Sequence, residues 1–171
     1  LYCSQESEIA VGRALRGRRD RVVVTTKATK QRMERPGDLR RMLEHQLRRM
    51  EIERFDCYCL HGIGWEGLRD LERKTGWWTD LRAAVDEGLV LHPGFSFHDE
   101  PESMMRLADT GFFEMATCQY NYLDRRNAKA IAHARRRGLG IVAMGPVGGG
   151  RLSVVPACVG DDPIGTSSSD A

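Results

Sequence analysis

Polar residues able to take part in chemistry recur along this sequence, each near the end of a short apolar segment. Five of them carry an ammonium, an imidazole, a hydroxyl or an amide group: Lys27, His61, Ser96, Gln119 and Asn121. A lysine in such a place is either a partner for a phosphate or carboxylate group or a member of a catalytic set. A shared function requires a fold that brings these five residues to one side of the molecule.

The segment before Lys27 contains three consecutive valines, Val22, Val23 and Val24. Apolar residues at consecutive positions favour burial of both faces, which is typical of a central strand in a parallel sheet. We therefore predict such a strand over residues 21–27. In parallel α/β folds, ligands bind beyond the carboxyl ends of the strands, which is where Lys27 would lie.

Helices and strands are predicted to alternate along the whole chain. The other strands cover residues 55–61, 89–97 with an interruption at Pro93, 115–121 and 140–144. The helices cover residues 7–15, 38–50, 77–87, 101–108 and 127–137, and a short helix lies near 68–71. Strict alternation predicts βαβ units and a parallel sheet. Residues 1–153 are predicted to form one domain and residues 154–171 a disordered tail.

Two of the helices carry more specific expectations. The side-chain pattern of the first helix predicts four inward-facing residues, Ile9, Val11, Ala14 and Leu15. In the second helix, Asp38 stands where it would cap the amino terminus.

A glycine motif in the sequence admits a competing fold. Residues 62–67 match the GxGxxG pattern of dinucleotide-binding turns and follow a predicted strand. However, the acidic residue expected about 20 positions later falls at Asp86 or Glu87, inside a predicted helix, and the segment after Gly67 is a poor helix by composition. Five strands with a polar residue at the same end instead favour a (β/α)8 barrel. Because a full barrel has eight strands, we predict a partial barrel that lacks the first strands and the last.

Composition and charge exclude several classes of function. The 171 residues carry 26 basic and 24 acidic side chains, a net charge of +2, which argues against a dedicated nucleic-acid or membrane-surface protein. The five cysteines are odd in number, scattered and without a CxxC pair, which indicates buried thiols in a reducing cytosol. No signal peptide and no membrane-spanning apolar run is present, so we predict a cytoplasmic protein.

Six short motifs together resemble the aldo-keto reductase family. They are Tyr2 with Ser7-Glu8, Gly12 and Leu15, then Val24–Lys27, Tyr58–His61, Gly94–Ser96, Gln119–Asn121 and Ala143–Gly150. They occur in the family's order and spacing from Tyr2 to Leu152. The form of the third strand and of the glycine-rich loop is similar to a bacterial branch that often carries a C-terminal iron–sulfur module, although this sequence has no cluster-ligand spacing.

This resemblance implies hydride transfer from NADPH to a small aldehyde or ketone. Tyr2 would be the proton donor, Lys27 would lower its pKa, and His61 would orient the carbonyl group. Ser96, Gln119 and Asn121 would hold the nicotinamide carboxamide. The residues next to the rest of the cofactor would be Met144, Gly145, Pro146, Gly148, Gly149 and Gly150.

The sequence also departs from the family pattern. The family's catalytic aspartate precedes the tyrosine, whereas this chain begins at Leu1, and Met144 stands where an aromatic residue usually stacks on the nicotinamide. We therefore expect a fragment that is inactive by itself and that associates through open sheet edges. Two alternatives remain: a non-catalytic truncated remnant, and a metal-dependent barrel hydrolase or isomerase. The metal ligands of the latter would be His61, His98, Asp99 and Glu102.

Overall fold

The structure, a computed structural model, describes residues 6–153. Its five strands form one sheet in which every neighbouring pair is parallel and the spatial order follows the chain order. The strands are β1 (Thr25–Ala28), β2 (Phe55–Leu60), β3 (Val90–Phe97), β4 (Met115–Gln119) and β5 (Gly140–Met144). Doubly wound dinucleotide-binding sheets reverse their strand order, so this sequential order indicates an arc of a barrel.

Within the same described residues, six α-helices connect or precede these strands. They are α1 (Glu6–Leu15), α2 (Asp38–Met50), α3 (Trp65–Thr75), α4 (Trp77–Asp86), α5 (Pro101–Ala108) and α6 (Ala128–Arg136). Short 3-10 turns lie at Arg19–Arg21, Lys30–Arg32 and Gly148–Gly150. The predicted parallel α/β alternation is confirmed. Among residues 6–153, no helix is long and apolar enough to cross a membrane.

The two faces of the sheet differ in what covers them. Helices α2, α4 and α6 pack on one face, where Tyr58, Phe95 and Phe97 are fully buried. The ring of Trp77 in α4 stacks on that of Phe113 with centroids 5.9 Å apart, and Phe113 in turn meets Phe95 at 5.0 Å. This aromatic cluster fixes the helices against the middle of the sheet.

The opposite face, here called the inner face, is defined by Lys27, Cys59, Gly94 and Met115, which lie side by side in register across four strands. The Cys59 Sγ lies 3.8 Å from the Met115 Sδ. A Cβ added at Gly94 would lie 3.0 Å from that Sγ and 2.9 Å from the Met115 carbonyl oxygen. Glycine at this position therefore allows the inner-face side chains to pack closely across β3.

The predicted parallel strand that carries Lys27 is present, but its predicted bounds, residues 21–27, are wrong. Strand β1 begins only at Thr25, and within the described residues it is an edge strand whose single neighbour is β2. Val22 and Val23 precede it and are 45% and 76% exposed, while Val24 alone of the three is buried. A run of consecutive apolar residues predicts a strand that is buried on both faces. The run itself does not show whether any other element covers those faces.

The orientation predicted for the first helix is wrong for three of the four residues and correct for Leu15, which packs against the core. In α1, Ile9, Val11 and Ala14 are exposed, Leu15 is half-buried, and Gly12 is the buried residue. A Cβ added at Gly12 would lie 2.7 Å from the Met50 Cα, so the two helices meet backbone to backbone at this point. A glycine that forms a helix contact contributes no apolar side chain. The contact is therefore not visible in the hydrophobic pattern of the sequence.

Three local predictions require correction as well. Asp38 does not cap α2, since its carboxylate accepts hydrogen bonds from the amides of Glu34 and Arg35 in the preceding turn. The segment after Gly67 is not a poor helix, because α3 runs unbroken to Thr75. Strand β3 continues through Pro93, whose carbonyl accepts a 2.8 Å hydrogen bond from the Glu114 amide.

Candidate active site

Lys27 and His61 line the same groove, which has a volume of about 480 Å³ and lies beside the edge of β1 that has no neighbouring strand within residues 6–153. Lys27 is the penultimate residue of β1, and His61 directly follows the last residue of β2. The His61 amide donates a 2.9 Å hydrogen bond to the carbonyl of Ala28, which ties the two strand ends together. Both side chains are half-buried.

The environment of His61 lowers the pKa of its imidazole. Burial is the largest cause, and the positive charges of Lys27, His98 and Lys30 act in the same direction. His61 is therefore neutral near pH 7. A neutral imidazole keeps one N–H donor and one acceptor nitrogen, so it can donate a hydrogen bond to a carbonyl oxygen.

Ser96 connects β3 to the loop that begins at His61. The Ser96 hydroxyl oxygen accepts a 3.0 Å hydrogen bond from the amide of Gly62, and its carbonyl accepts one of 2.9 Å from Ile63. Ser96 is fully buried. Lys30 supports the same loop, because its Nζ donates to the Gly62 carbonyl at 2.8 Å.

Gln119, Asn121 and Gly145 form a second group of residues at the carboxyl ends of β4 and β5. The Asn121 side-chain amide donates to the Gly145 carbonyl at 2.9 Å, and its oxygen accepts the amides of Leu123 and Asp124, both at 2.8 Å. A Cβ at Gly145 would lie 2.6 Å from the Gln119 Nε2. Gly145 has a φ of +61°, a backbone conformation that favours glycine. The close approach of Gln119 is a second reason for glycine at this position.

The glycine-rich loop after β5 contains a compact turn. Gly148, Gly149 and Gly150 all have positive φ and form a 3-10 turn, whereas the sequence predicts a loop without helical structure. The Gly148 amide donates to the Gly145 carbonyl at 2.9 Å. Of the other predicted loop residues, Met144 is half-buried and Pro146 is exposed. Backbone amides in consecutive tight turns can form a concave site for an anion.

The predicted residues are thus brought together in two groups rather than in one. Lys27 and His61 line the groove, while Gln119 and Asn121 contact Gly145 two strands further along. Register places Ser96 of β3 between them, beside Thr117 of β4. Tyr2, the tail at residues 154–171 and the cysteines Cys3 and Cys158 lie outside the described residues.

Sequence reasoning missed Gln46. This residue lies on α2 behind β1, is 7% exposed, and its Nε2 is 3.3 Å from the Lys27 carbonyl oxygen. A signal was present, because Gln46 interrupts an apolar stripe at helical spacing that contains Leu39, Leu43, Leu47 and Met50. A polar residue inside such a stripe needs a buried partner.

The alternative of a metal centre finds no support. Within residues 6–153, no three His, Cys, Asp or Glu side chains are grouped so that they could hold a metal ion. Asp99 lies against the loop before α3, where a Cβ at Gly64 would be 2.8 Å from its Cγ.

The fold is an arc of a parallel α/β barrel with polar residues at the carboxyl ends of its strands. Barrel enzymes have their active sites at this end. The sequence model of the Aldo/keto reductase family matches residues 1–155, and the chain belongs to this family. The resemblance seen in the sequence is thereby confirmed.

Several solved structures are similar to this chain. An aldo/keto reductase from Klebsiella pneumoniae in complex with NADP and acetate is 27% identical with a TM-score of 0.72, over 89% of this chain and 53% of that one. An aldo-keto reductase from Bacillus halodurans in its apo form is also 27% identical with a TM-score of 0.71, over 87% and 48%. The chain therefore spans about half the length of these relatives. No curated protein sequence gives a significant match.

Proposed function

We propose that this chain carries part of the active site of an NADP(H)-dependent reductase of small aldehydes or ketones. The observation that carries the proposal is the pairing of Lys27 and His61 in one groove at the carboxyl ends of adjacent strands. Membership of the aldo/keto reductase family and a relative crystallised with NADPH, also from Klebsiella pneumoniae, support the cofactor. When bound, NADPH supplies the hydride.

The proposed proton donor is Tyr2. Ser7 and Glu8, in the first turn of α1, line the groove together with Lys27 and His61, and Tyr2 shortly precedes this turn in the sequence. A free phenol has a pKa of about 10 and is a poor acid at neutral pH. Lys27 is the proposed electrostatic partner of Tyr2, because a nearby ammonium group favours a phenolate. The neutral His61 donates its N–H to the carbonyl oxygen and stabilises the charge that develops there.

The second group of residues is proposed to hold the cofactor. The Gln119 amide and the Ser96 hydroxyl suit the carboxamide of the nicotinamide, and Asn121 keeps Gly145 beside Gln119 through its 2.9 Å hydrogen bond. The glycines at Gly148–Gly150 would let the pyrophosphate approach the backbone of this turn, whose Gly148 and Gly150 amides already donate to carbonyls within the loop. Met144 and Pro146 would contribute the flanking surface.

Replacement of Tyr2 tests the chemical assignment. In a barrel completed with the strands that the structural relatives add, NADPH oxidation with a simple aromatic aldehyde should fall about 10²–10⁴-fold in Tyr2→Phe, because the acid is lost. His61→Ala should also reduce the rate, with a smaller effect than Tyr2→Phe. If Tyr2→Phe kept most of the rate while His61→Ala abolished it, the proton donor would be misassigned.

The 171-residue chain alone is expected to bind NADPH weakly or not at all. In the described residues, β1 and β5 each have a neighbour on one side only, so backbone donors and acceptors are exposed along both edges of the sheet. Val23 and Val142, exposed at 76% and 51%, favour self-association of the chain near these edges. Fluorescence titration decides the question, since saturable micromolar binding with turnover would contradict the expectation.

A further inference from the structure

A buried hydrogen-bond network lies directly behind the strand that carries Lys27. At its centre, the Oε1 of Gln46 accepts a 2.7 Å hydrogen bond from the hydroxyl of Tyr58, which is fully buried in β2. The Nε2 of the same side chain donates towards the Lys27 carbonyl at 3.3 Å and lies 3.4 Å from the Thr26 Oγ1. One amide therefore contacts both strands that lead to the groove.

The Lys27 carbonyl needs a donor that β2 does not supply. The Val24 carbonyl, directly before β1, accepts the Asp56 and Cys57 amides of β2, and the Ala28 carbonyl in β1 accepts the His61 amide directly after β2. Alternate carbonyls of a strand point to opposite sides, so the Lys27 carbonyl points to the edge that has no neighbouring strand within residues 6–153. Gln46 provides a hydrogen-bond donor on this side.

The network also reaches the helix that follows the segment of Tyr2. The Gln46 Nε2 lies 3.1 Å from one oxygen of Glu8 in α1, and the Arg49 Nε donates to the other oxygen at 2.9 Å. The Glu8 and Arg49 side chains are only 16% and 24% exposed. The carboxylate thus bonds to two side chains of α2 and joins α1 to the same amide.

We propose that Gln46 is a positioning residue that holds Lys27 in place relative to His61. Its amide links β1, which carries Lys27, to β2, which ends next to His61, and to α1, which follows Tyr2. The catalytic importance of this linkage rests on the proposed reductase function. The positioning itself can be tested without cofactor, substrate or turnover, so failure of one proposal leaves the other intact.

The test measures how strongly Lys27 acts on His61 in the 171-residue chain. NMR titration of the His61 imidazole is done in the wild type, Lys27→Met, Gln46→Met and the double variant. Methionine is close to glutamine in length but forms no comparable hydrogen bonds. In the wild-type background, Lys27→Met should raise the pKa of His61, because a nearby cation is removed. In the Gln46→Met background, we expect that rise to shrink to half or less.

An equal rise in both backgrounds would overturn the proposal, because Lys27 would then reach its place without Gln46. Leu43→Met is the matched control, since Leu43 is a buried residue of α2 outside this network. If Leu43→Met weakened the coupling as much as Gln46→Met, general loosening of α2 would explain the effect and the proposal would fail.

Should Gln46→Met not fold, Tyr58→Phe is the second variant, because it removes only the hydroxyl that bonds to Gln46. It should weaken the coupling in the same direction, and an unchanged coupling in Tyr58→Phe would also count against the proposal.

Discussion

Two glycines inside helices should respond in opposite ways to the same substitution. Gly12 lies in the middle of α1 and Gly67 in the first turns of α3. Glycine inside a helix costs about 0.5–1 kcal/mol relative to alanine, so alanine is the better residue at both positions if its Cβ fits. The space around each Cβ decides the sign of the change.

At Gly67 the added Cβ fits. Its nearest neighbour would be the Ile63 Cδ1 at 3.6 Å, an ordinary van der Waals contact. At Gly12 the Cβ would lie 2.7 Å from the Cα and 2.8 Å from the carbonyl carbon of Met50. These are backbone atoms of α2 that cannot rotate away. Overpacking of this kind costs about 1–3 kcal/mol, which exceeds the gain in helix propensity.

We therefore expect Gly12→Ala to lower the free energy of unfolding by about 1–2 kcal/mol and Gly67→Ala to raise it by about 0.5–1 kcal/mol. Urea unfolding followed by circular dichroism measures both changes. Amide hydrogen exchange should show the loss concentrated in α1, since that helix must move away from α2. A stabilised Gly12→Ala variant would refute the close helix contact.

Two further predictions concern pH. Because the pKa of His61 is lowered in the folded state, the unfolded state binds more protons below about pH 6.5. Acidification below this pH should therefore destabilise the wild type more than His61→Asn. Urea midpoints at pH 5 and pH 7 measure this, and equal losses in both proteins would contradict it. The pKa of Asp38 is lowered to about 2 by hydrogen bonds from the Glu34 amide, the Arg41 side chain and the Arg35 amide. Asp38→Asn should therefore be less stable than the wild type at pH 7, and the difference should disappear as the pH falls towards 2; a difference that persisted unchanged at low pH would argue against this role.

The sequence predicts the architecture well because alternation is a local property. Each strand and helix carries its own apolar period, and the polar residue after an apolar strand marks the carboxyl end, as for Lys27 and His61. The approximate register of neighbouring strands then follows, because parallel strands joined by a single crossover have their ends aligned. This logic located Gln119 and Asn121 at the correct end of β4 without knowledge of any contact.

The errors have a common physical cause, which is that burial depends on partners distant in sequence. Val22 and Val23 are apolar but have no covering element in the described part of the chain. Gly12 has no side chain, yet it forms the buried contact of α1. Gln46 is polar, yet it is buried because Tyr58 and Lys27, 12 and 19 residues away, supply its hydrogen-bond partners. Composition alone assigns all of these residues to the wrong environment.

Strand β3 has a particular place in the proposed site because it lies between the two groups of residues. On one side, the Ser96 hydroxyl holds the Gly62 amide and so fixes the loop that starts at His61. On the other side, Ser96 is in register with Thr117, two residues before Gln119. The proposed contact of Ser96 with a carboxamide is compatible with this hydrogen bond, since a hydroxyl oxygen that accepts from the Gly62 amide keeps its hydrogen for donation. Under the proposed function, Ser96 would therefore connect the residues that hold the cofactor to the loop that begins at His61.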